Sequence, residues 1–433
     1  MITKELVEEI QTGAREDLPK VQTKEGYIAS AEDQDFGVFF SRDAAIDSIF
    51  TFDIFEKHPE QPEVLIPVKD SLITMASTQG KVFDAWRDEE PGKIIHEHRH
   101  SNHPKNQQRL TELRGKFPVE EKDDGLLFMR YYGSIDATPL FEWVGCEYLL
   151  LMGDGEFFKF LNPHIRAAIE WSRRKYNGDK RGFVTYSAAN RQALTNQGWK
   201  DSSDSILTPE GKRPTEPIAL VEVQGYQYQA LKAAFELYRK KDPKFAQLLL
   251  EESIALKQRF NKDFWMEDEE FFAYALDGIG KQIREITSNV GHLLATGIID
   301  EDKLHLVVNR LMQPDIFTKW GIRTLSVNSP NFSDCEPSAY HNGGGIWTHD
   351  NAIIYAGMKR TKFFKEAGMV RDANWEAQYI LKKEHGIQNP ELQMVDRFGN
   401  LRPYKAAQHP QSWADLANLL WTDPLEINSL LAA

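Results

Sequence analysis

The chain has 433 residues, 41% of them hydrophobic and 11% aromatic, with a formal net charge of −13. That acidity argues against nucleic acid and anionic membrane surfaces as partners, since both call for a basic face. No apolar run approaches the ~20 residues of a membrane span, and the charged start of the chain has no apolar signal core. Cys146 and Cys335, the two cysteines, give neither a disulfide framework nor a metal pattern, so the sequence reads as a cytoplasmic protein with reduced thiols.

Apolar residues recur at three- and four-residue spacing through most of the chain, which is the pattern of amphipathic helices. It predicts a weak helix over 2–14, then helices near 43–56, 66–79, 138–152, 162–174, 217–240, 243–260, 287–298, 301–312, 348–365, 367–384 and 411–422. Pro163, Pro217 and Pro243 are read as helix starts, where a missing N–H costs little. Strand signals are few, mainly Gly182 to Ser187 and Phe271 to Leu276, both read as short β-hairpin excursions. The polar stretch Arg87 to Glu120 carries His96, His98, His100 and His103. No cysteine accompanies these histidines and part of the run reads as loop, so structural or solvent-exposed histidines are favoured and no metal is assigned.

About twelve helices in one chain suggest six helical hairpins closed into an (α/α)6 barrel. The expected fold is therefore all-α with minor β-hairpins, one domain over 1–433, in which 1–30 form an N-terminal helical extension. No strict internal repeat is visible, so an irregular bundle is the alternative. In such a barrel the loops at one end, between helix pairs, build the site. Segments 41–43, 131–139, 196–204, 341–350 and 388–404 fall at such places.

The most informative stretch is Asn196-Gln197-Gly198-Trp199-Lys200-Asp201-Ser202-Ser203-Asp204. It puts two carboxylates next to an indole and an ammonium group in a turn-like segment. The run from Pro217 to Tyr226 follows as a helix start, and brings Glu222 and Gln224. These groups at a loop–helix junction suit a sugar-cleaving site: an acid protonates the glycosidic oxygen, an indole stacks on the pyranose and amides read hydroxyls. The competing reading is a Ser- and Asp-rich turn that caps a helix. The ten Trp and fourteen Tyr fit a carbohydrate cleft as well as a core.

The segment from Gly198 to Ser205, followed by Pro217 to Tyr226, resembles the catalytic domain of bacterial amylo-α-1,6-glucosidases, the glucosidase half of glycogen-debranching-type enzymes. Further pieces recur in the family's order: Phe40 to Asp43, Pro91 to Glu97, Tyr131 to Pro139, Gly321 to Leu325, Trp347 to Ala352, Pro390 to Leu392 and Gln411 to Trp413. The motifs begin by residue 36, which leaves no place before them for the family's N-terminal β-rich domain. Tyr340 to Trp347 differs from the family's proline-bearing form and resembles barrels acting on sucrose or mannosylglycerate-like compounds.

The resemblance implies an inverting glycoside hydrolase for an α-linked glucoside, probed best with short oligosaccharides or disaccharides. Asp201 is the expected acid, with Asp204 its competitor. Glu391 is the expected base, with Glu336 and Asp396 as alternatives. An inverting pair places the carboxyl groups about 6.5–9.5 Å apart. Arg42 and Asp43 are expected to clamp sugar hydroxyls. Tyr132, Asp136, Trp199, Lys200, Asp204, Glu222, Gln224, His341, Trp347, His349, Asp350, Gln411 and Trp413 complete the expected lining. Of Glu222 and Gln224, two apart on one helix, only one is expected to face the cleft. No cofactor is implied, and the expected partner is a small carbohydrate. The rivals are an α/α-barrel sugar isomerase or epimerase working through His292, His341 or His349, a non-catalytic sugar-binding protein, and a phosphorylase.

Overall fold

In a computed structural model, residues 3–421 are described. Their helices are α1 (Lys4–Asp17), α2 (Ser41–Lys57), α3 (Ile66–Ser77), α4 (Pro104–Leu113), α5 (Ala137–Met152), α6 (Gly155–Gly178), α7 (Val221–Tyr238), α8 (Pro243–Asp263), α9 (Glu301–Leu311), α10 (Thr348–Arg360), α11 (Phe364–His385) and α12 (Ser412–Leu420). A 3-10 segment, Ser288–Ala295, stands where the spacing predicted a helix over 287–298.

The helices form two concentric rings. The inner ring runs α2, α5, α7, the 3-10 segment, α10 and α12, and α12 closes back on α2. Outside them lie α3, α6, α8, α9 and α11, each packed on the inner element that precedes it in sequence. The sixth outer helix is α1, which packs on α12 and α11. The chain's beginning therefore supplies the outer partner of its last described helix and closes an (α/α)6 barrel.

Burial explains which helix goes where. In α2 the run from Ser41 to Ser48 is buried without a break, and in α10 so is Thr348 to Met358. A helix buried all round belongs inside. In α6 the buried residues Phe157, Leu161, Ile165, Ala168, Ile169, Trp171, Ser172 and Tyr176 form one stripe, as an outer helix requires.

Short strands precede the inner helices at one end of the barrel. Phe39–Phe40 leads into α2, Ala219–Leu220 into α7 and Gly345–Trp347 into α10. Ser30 bridges Gln411 just before α12. The largest sheet has the order Phe39–Phe40, Glu97–Arg99, Leu127–Tyr131, Val119–Glu121, all antiparallel. The polar stretch Arg87 to Glu120, read in part as loop, thus contains strand Glu97–Arg99, α4 and the start of strand Val119–Glu121. Side-chain hydrophobicity is sparse there, and pairing across the sheet supplies what local pattern lacks.

Three local expectations are corrected. Pro163 lies inside α6, which starts at Gly155 with the Asp154 carboxylate accepting from Glu156 N and Phe157 N. Pro217 precedes a strand rather than opening α7. Residues 182–187 form no strand, only a bridge from Tyr186 to Ile218. Pro243 does open α8, as expected. No described helix is long and apolar enough to cross a membrane.

Candidate active site

A cavity of about 90 Å³ opens at the end of the barrel where the inner helices begin. It gathers Asp201, Glu391, Asp43 and Arg42 with the rings of Trp199, Trp347, Trp413, Tyr340, Phe36 and Phe40, and with His96, His341 and Gln411. Nine of the residues singled out from sequence are brought together here: Arg42, Asp43, Trp199, Asp201, His341, Trp347, Glu391, Gln411 and Trp413.

Arg42 organises one side. Its Nε donates to Asp136 Oδ2 at 2.6 Å and its Nη2 to the Gly198 carbonyl at 2.9 Å. Its Nη1 lies 3.6 Å from Asp201 Oδ2. One buried guanidinium therefore ties α2, the start of α5 and the Gly198–Asp201 loop together. Asp136 is fully buried beneath it and also accepts from Ser134 Oγ, so it supports Arg42 rather than lining the cavity. Asp201 keeps 31% of its side-chain surface accessible while protein surrounds it. Burial pushes its pKa up to about 6, against the opposing charge of Arg42.

Glu391 forms the other side, just before the strand Leu392–Val395 that pairs with Gly345–Trp347. Its Oε1 accepts from the Tyr340 hydroxyl and its Oε2 from the Gln408 backbone N–H, both at 2.9 Å. Burial raises its pKa to about 7, and those two donors and the Asp201 charge act on it less strongly. Asp43 is raised to about 8, first by burial, with Arg42 opposing and Glu391 adding to the rise. Of the alternatives to Glu391, Glu336 is exposed. Asp396 is held in the hairpin turn by Phe398 N and Asn400 N, both at 2.9 Å.

Aromatic stacking fixes the walls. Trp413 lies face to face on His349 at 3.7 Å and 10°. His341 stacks on Trp347 at 5.3 Å and 13°, and its Nδ1 meets Ser202 Oγ at 2.7 Å. Trp199 meets Trp347, His341 and His349 edge-on. These contacts hold flat apolar surfaces at set angles, which is what sugar faces stack on. His341 and His349 are pushed well below the ordinary histidine range by burial and by neighbouring positive charge.

The remaining expected residues lie away from the cavity. The Tyr132 hydroxyl donates to the Thr78 carbonyl. Lys200 Nζ donates to the Thr324 carbonyl at 2.6 Å, and its pKa falls to about 8 through burial. The Asp204 carbonyl accepts from Asn342. Gln224 binds both backbone groups of Val184, and Glu222 is buried beside it with a pKa raised to about 7 by burial. Asp350 accepts from His292, whose other ring nitrogen meets Tyr226. Phe36 and Ala29 escaped the sequence reading, while Phe40, His96 and Tyr340 stood inside quoted motifs without being assigned to the site. Glu391 bonds to Tyr340 across distant sequence, so no local pattern announces it.

No family model and no curated protein matches this sequence. Solved structures do. A GH63 mannosylglycerate hydrolase from Thermus thermophilus, in complex with Tris, is 15% identical, covers 96% of this chain and 100% of its own, with a TM-score of 0.65. The same enzyme in complex with glucose gives 14%, the same coverages and 0.64. A glycosidase variant is 11% identical over 98% of this chain and 99% of its own, with a TM-score of 0.60. The ring of paired helices and these likenesses agree: the chain has the six-hairpin (α/α)-barrel fold in which those glycosidases are built.

Proposed function

We propose that the chain is an inverting glycoside hydrolase that releases glucose from a short, neutral α-linked glucoside, with Asp201 as general acid and Glu391 as general base. The observation that carries this reading is the meeting of Asp201 and Glu391 in one aromatic-walled cavity. Asp201 delivers its proton to the glycosidic oxygen as the bond breaks. Glu391, oriented by Tyr340 and Gln408, takes a proton from the water that attacks the opposite face of the sugar. Raised values of about 6 and about 7 let the pair hold one proton near neutrality, and since Glu391 binds it the more tightly in the empty site, the acid form of Asp201 is drawn out by the bound substrate. A sugar in the cavity displaces water from the accessible Asp201 and favours its protonated form further.

The lining also supports a substrate class. Asp43, Asp201 and Glu391 face the cavity, and Arg42 is committed to Asp136 and Gly198. With Asp43 raised to about 8 and one proton shared by Asp201 and Glu391, the lining keeps one carboxylate charge and offers no uncommitted cation to an anionic aglycone such as glycerate, although a mannosylglycerate hydrolase shares the fold. The motif resemblance makes an α-1,6-linked glucoside the first to try.

The test is a panel of α-1,6, α-1,4, α-1,2 and α,α-1,1 glucosides beside glucosyl- and mannosylglycerate, with the new anomer read by NMR. β-Glucose from a neutral member is expected, with Asp201→Asn and Glu391→Gln each lowering kcat by about 10²–10⁴-fold. Folded protein that releases no sugar from any member, or variants that keep wild-type rates, would overturn the reading.

A further inference from the structure

A second cavity, about 320 Å³, lies on the far side of the segment that walls the first. Ala29, Phe36 and Phe40 of that segment face the catalytic cavity, whereas Ile28, Gly37 and Val38 face the second one. Into the second cavity project Glu25, His98 and His100. Glu25 comes from the turn before strand Gly26–Tyr27, and the histidines come from strand Glu97–Arg99 and the residue after it.

The three side chains each offer a ligand atom, and these atoms lie within 4.8 Å of one another. Around a tetrahedral zinc ion such atoms sit about 3.4 Å apart, given bonds of about 2.0–2.2 Å, so small side-chain rotations suffice. His100 Nε2 already meets Glu25 Oε1 at 2.6 Å. The rings of His98 and His100 are nearly parallel, 4.4 Å apart at 18°. Buried His98 Nδ1 has no hydrogen-bond partner, which is costly for a polar atom unless something fills its lone pair or takes its proton.

We propose that Glu25, His98 and His100 form a binding site for a zinc-like divalent transition-metal ion. Two imidazoles and one carboxylate are a donor set for such ions, with the remaining position open to water from the cavity. Lys24 and Lys122 line the same cavity. Ca²⁺ and Mg²⁺ bind through several carboxylate and carbonyl oxygens, and one carboxylate with two imidazoles beside two lysines does not supply them. The bound ion clamps residues 25–28 to strand Glu97–Arg99. The wall that follows is already tied there, by Arg99 Nη2 to the Asp35 carbonyl at 2.9 Å and Asn106 Nδ2 to the Gly37 carbonyl at 3.2 Å. The ion thereby stiffens the segment that presents Phe36 and Phe40 to the catalytic cavity. The site stands independently of the glycosidase reading, because its ligands take no part in that chemistry.

The experiment uses the full chain, stripped with a chelator and titrated with Zn²⁺ by calorimetry and with Co²⁺ by visible absorption. One Zn²⁺ per chain with micromolar or tighter affinity is expected, together with a Co²⁺ spectrum free of thiolate charge transfer. Glu25→Gln and His100→Ala should each weaken binding by about tenfold or more, and Cys335→Ser should not. The His100 side chain is 36% exposed, so its removal is compatible with folding, which circular dichroism checks. Zn²⁺ should also slow amide exchange over residues 25–40 of the wild type. No binding up to millimolar Zn²⁺, equal binding by the variants, or a thiolate band in the Co²⁺ spectrum would overturn the site.

Discussion

Three carboxyl groups and one guanidinium share the candidate site, and their environments differ because different segments surround each of them. Asp201 faces the cavity with Arg42 at its side. Glu391 is only 2% exposed and accepts two hydrogen bonds. Those donors favour its ionised form, as a base requires. Removing one of them in Tyr340→Phe raises the Glu391 pKa. With Asp201 at about 6 and Glu391 at about 7, the higher value sets the basic limb of the kcat/KM–pH profile, so that limb should move to higher pH, and kcat/KM should fall about tenfold, since a hydrogen bond to a charged group is worth about 1.5–3 kcal/mol. An unmoved limb would take Glu391 out of the base role. The sequence offered Glu391 as the expected base, with Glu336 and Asp396 as alternatives. Only the folded chain separates them, because exposure of Glu336 and the turn bonds of Asp396 depend on how the surrounding chain folds.

Helix boundaries were legible where periodicity was strong. Most inner and outer helices stand close to their expected spans, but α6 begins at Gly155 rather than near 162, and α4 was not expected. Proline was a poorer guide, since Pro163 and Pro217 owe their places to a cap at Asp154 and a strand at Ala219–Leu220. The contact of α10 with the 3-10 segment has a reciprocal device that periodicity does not reveal. A Cβ on Gly291 would lie 2.5 Å from Ile354 Cγ1, and one on Gly357 would lie 2.6 Å from Leu294 Cβ. Each element thus gives the other a glycine to pack on. Gly357→Ala should destabilise the protein by about 1–3 kcal/mol, the usual cost of overpacking, measured as a lower urea midpoint. A midpoint equal to wild type would mean that the two elements separate without cost.

Across the whole molecule, burial of carboxyl groups sets a pH dependence. Asp43 and Glu142 are raised to about 8 and Glu222 and Glu391 to about 7, in each case first by burial. A carboxyl whose folded pKa exceeds its unfolded value binds more protons when folded, so its contribution is complete at low pH and is lost as pH rises through the folded value. Buried His96, His341 and His349 are depressed and act the other way, but only below their unfolded value of about 6.5. Lys93 and Lys200, lowered to about 8, oppose the carboxyls only above that value. Between about pH 6.5 and 8 the carboxyls therefore dominate, and stability should fall, each group contributing at most about 1.4 kcal/mol per pH unit. Thermal melts across that window should show it, and Asp43→Asn should flatten the slope. A slope of opposite sign would mean that these groups are ionised in the folded chain.

By itself the sequence determined that this is a helical chain of paired segments, because a buried stripe must recur every three to four residues whatever it packs against. It also marked the loop that carries Trp199 and Asp201, because carboxylate and indole side chains clustered at a loop–helix junction stand out locally, whereas Glu391 was pointed to by the motif resemblance. Closure of the ring by α1 against α12, the Arg42–Asp136–Gly198 tie and the Tyr340–Glu391 bond were decided only by the tertiary structure. Each joins segments far apart in the chain, and such contacts form only when the whole barrel brings their backbones within reach.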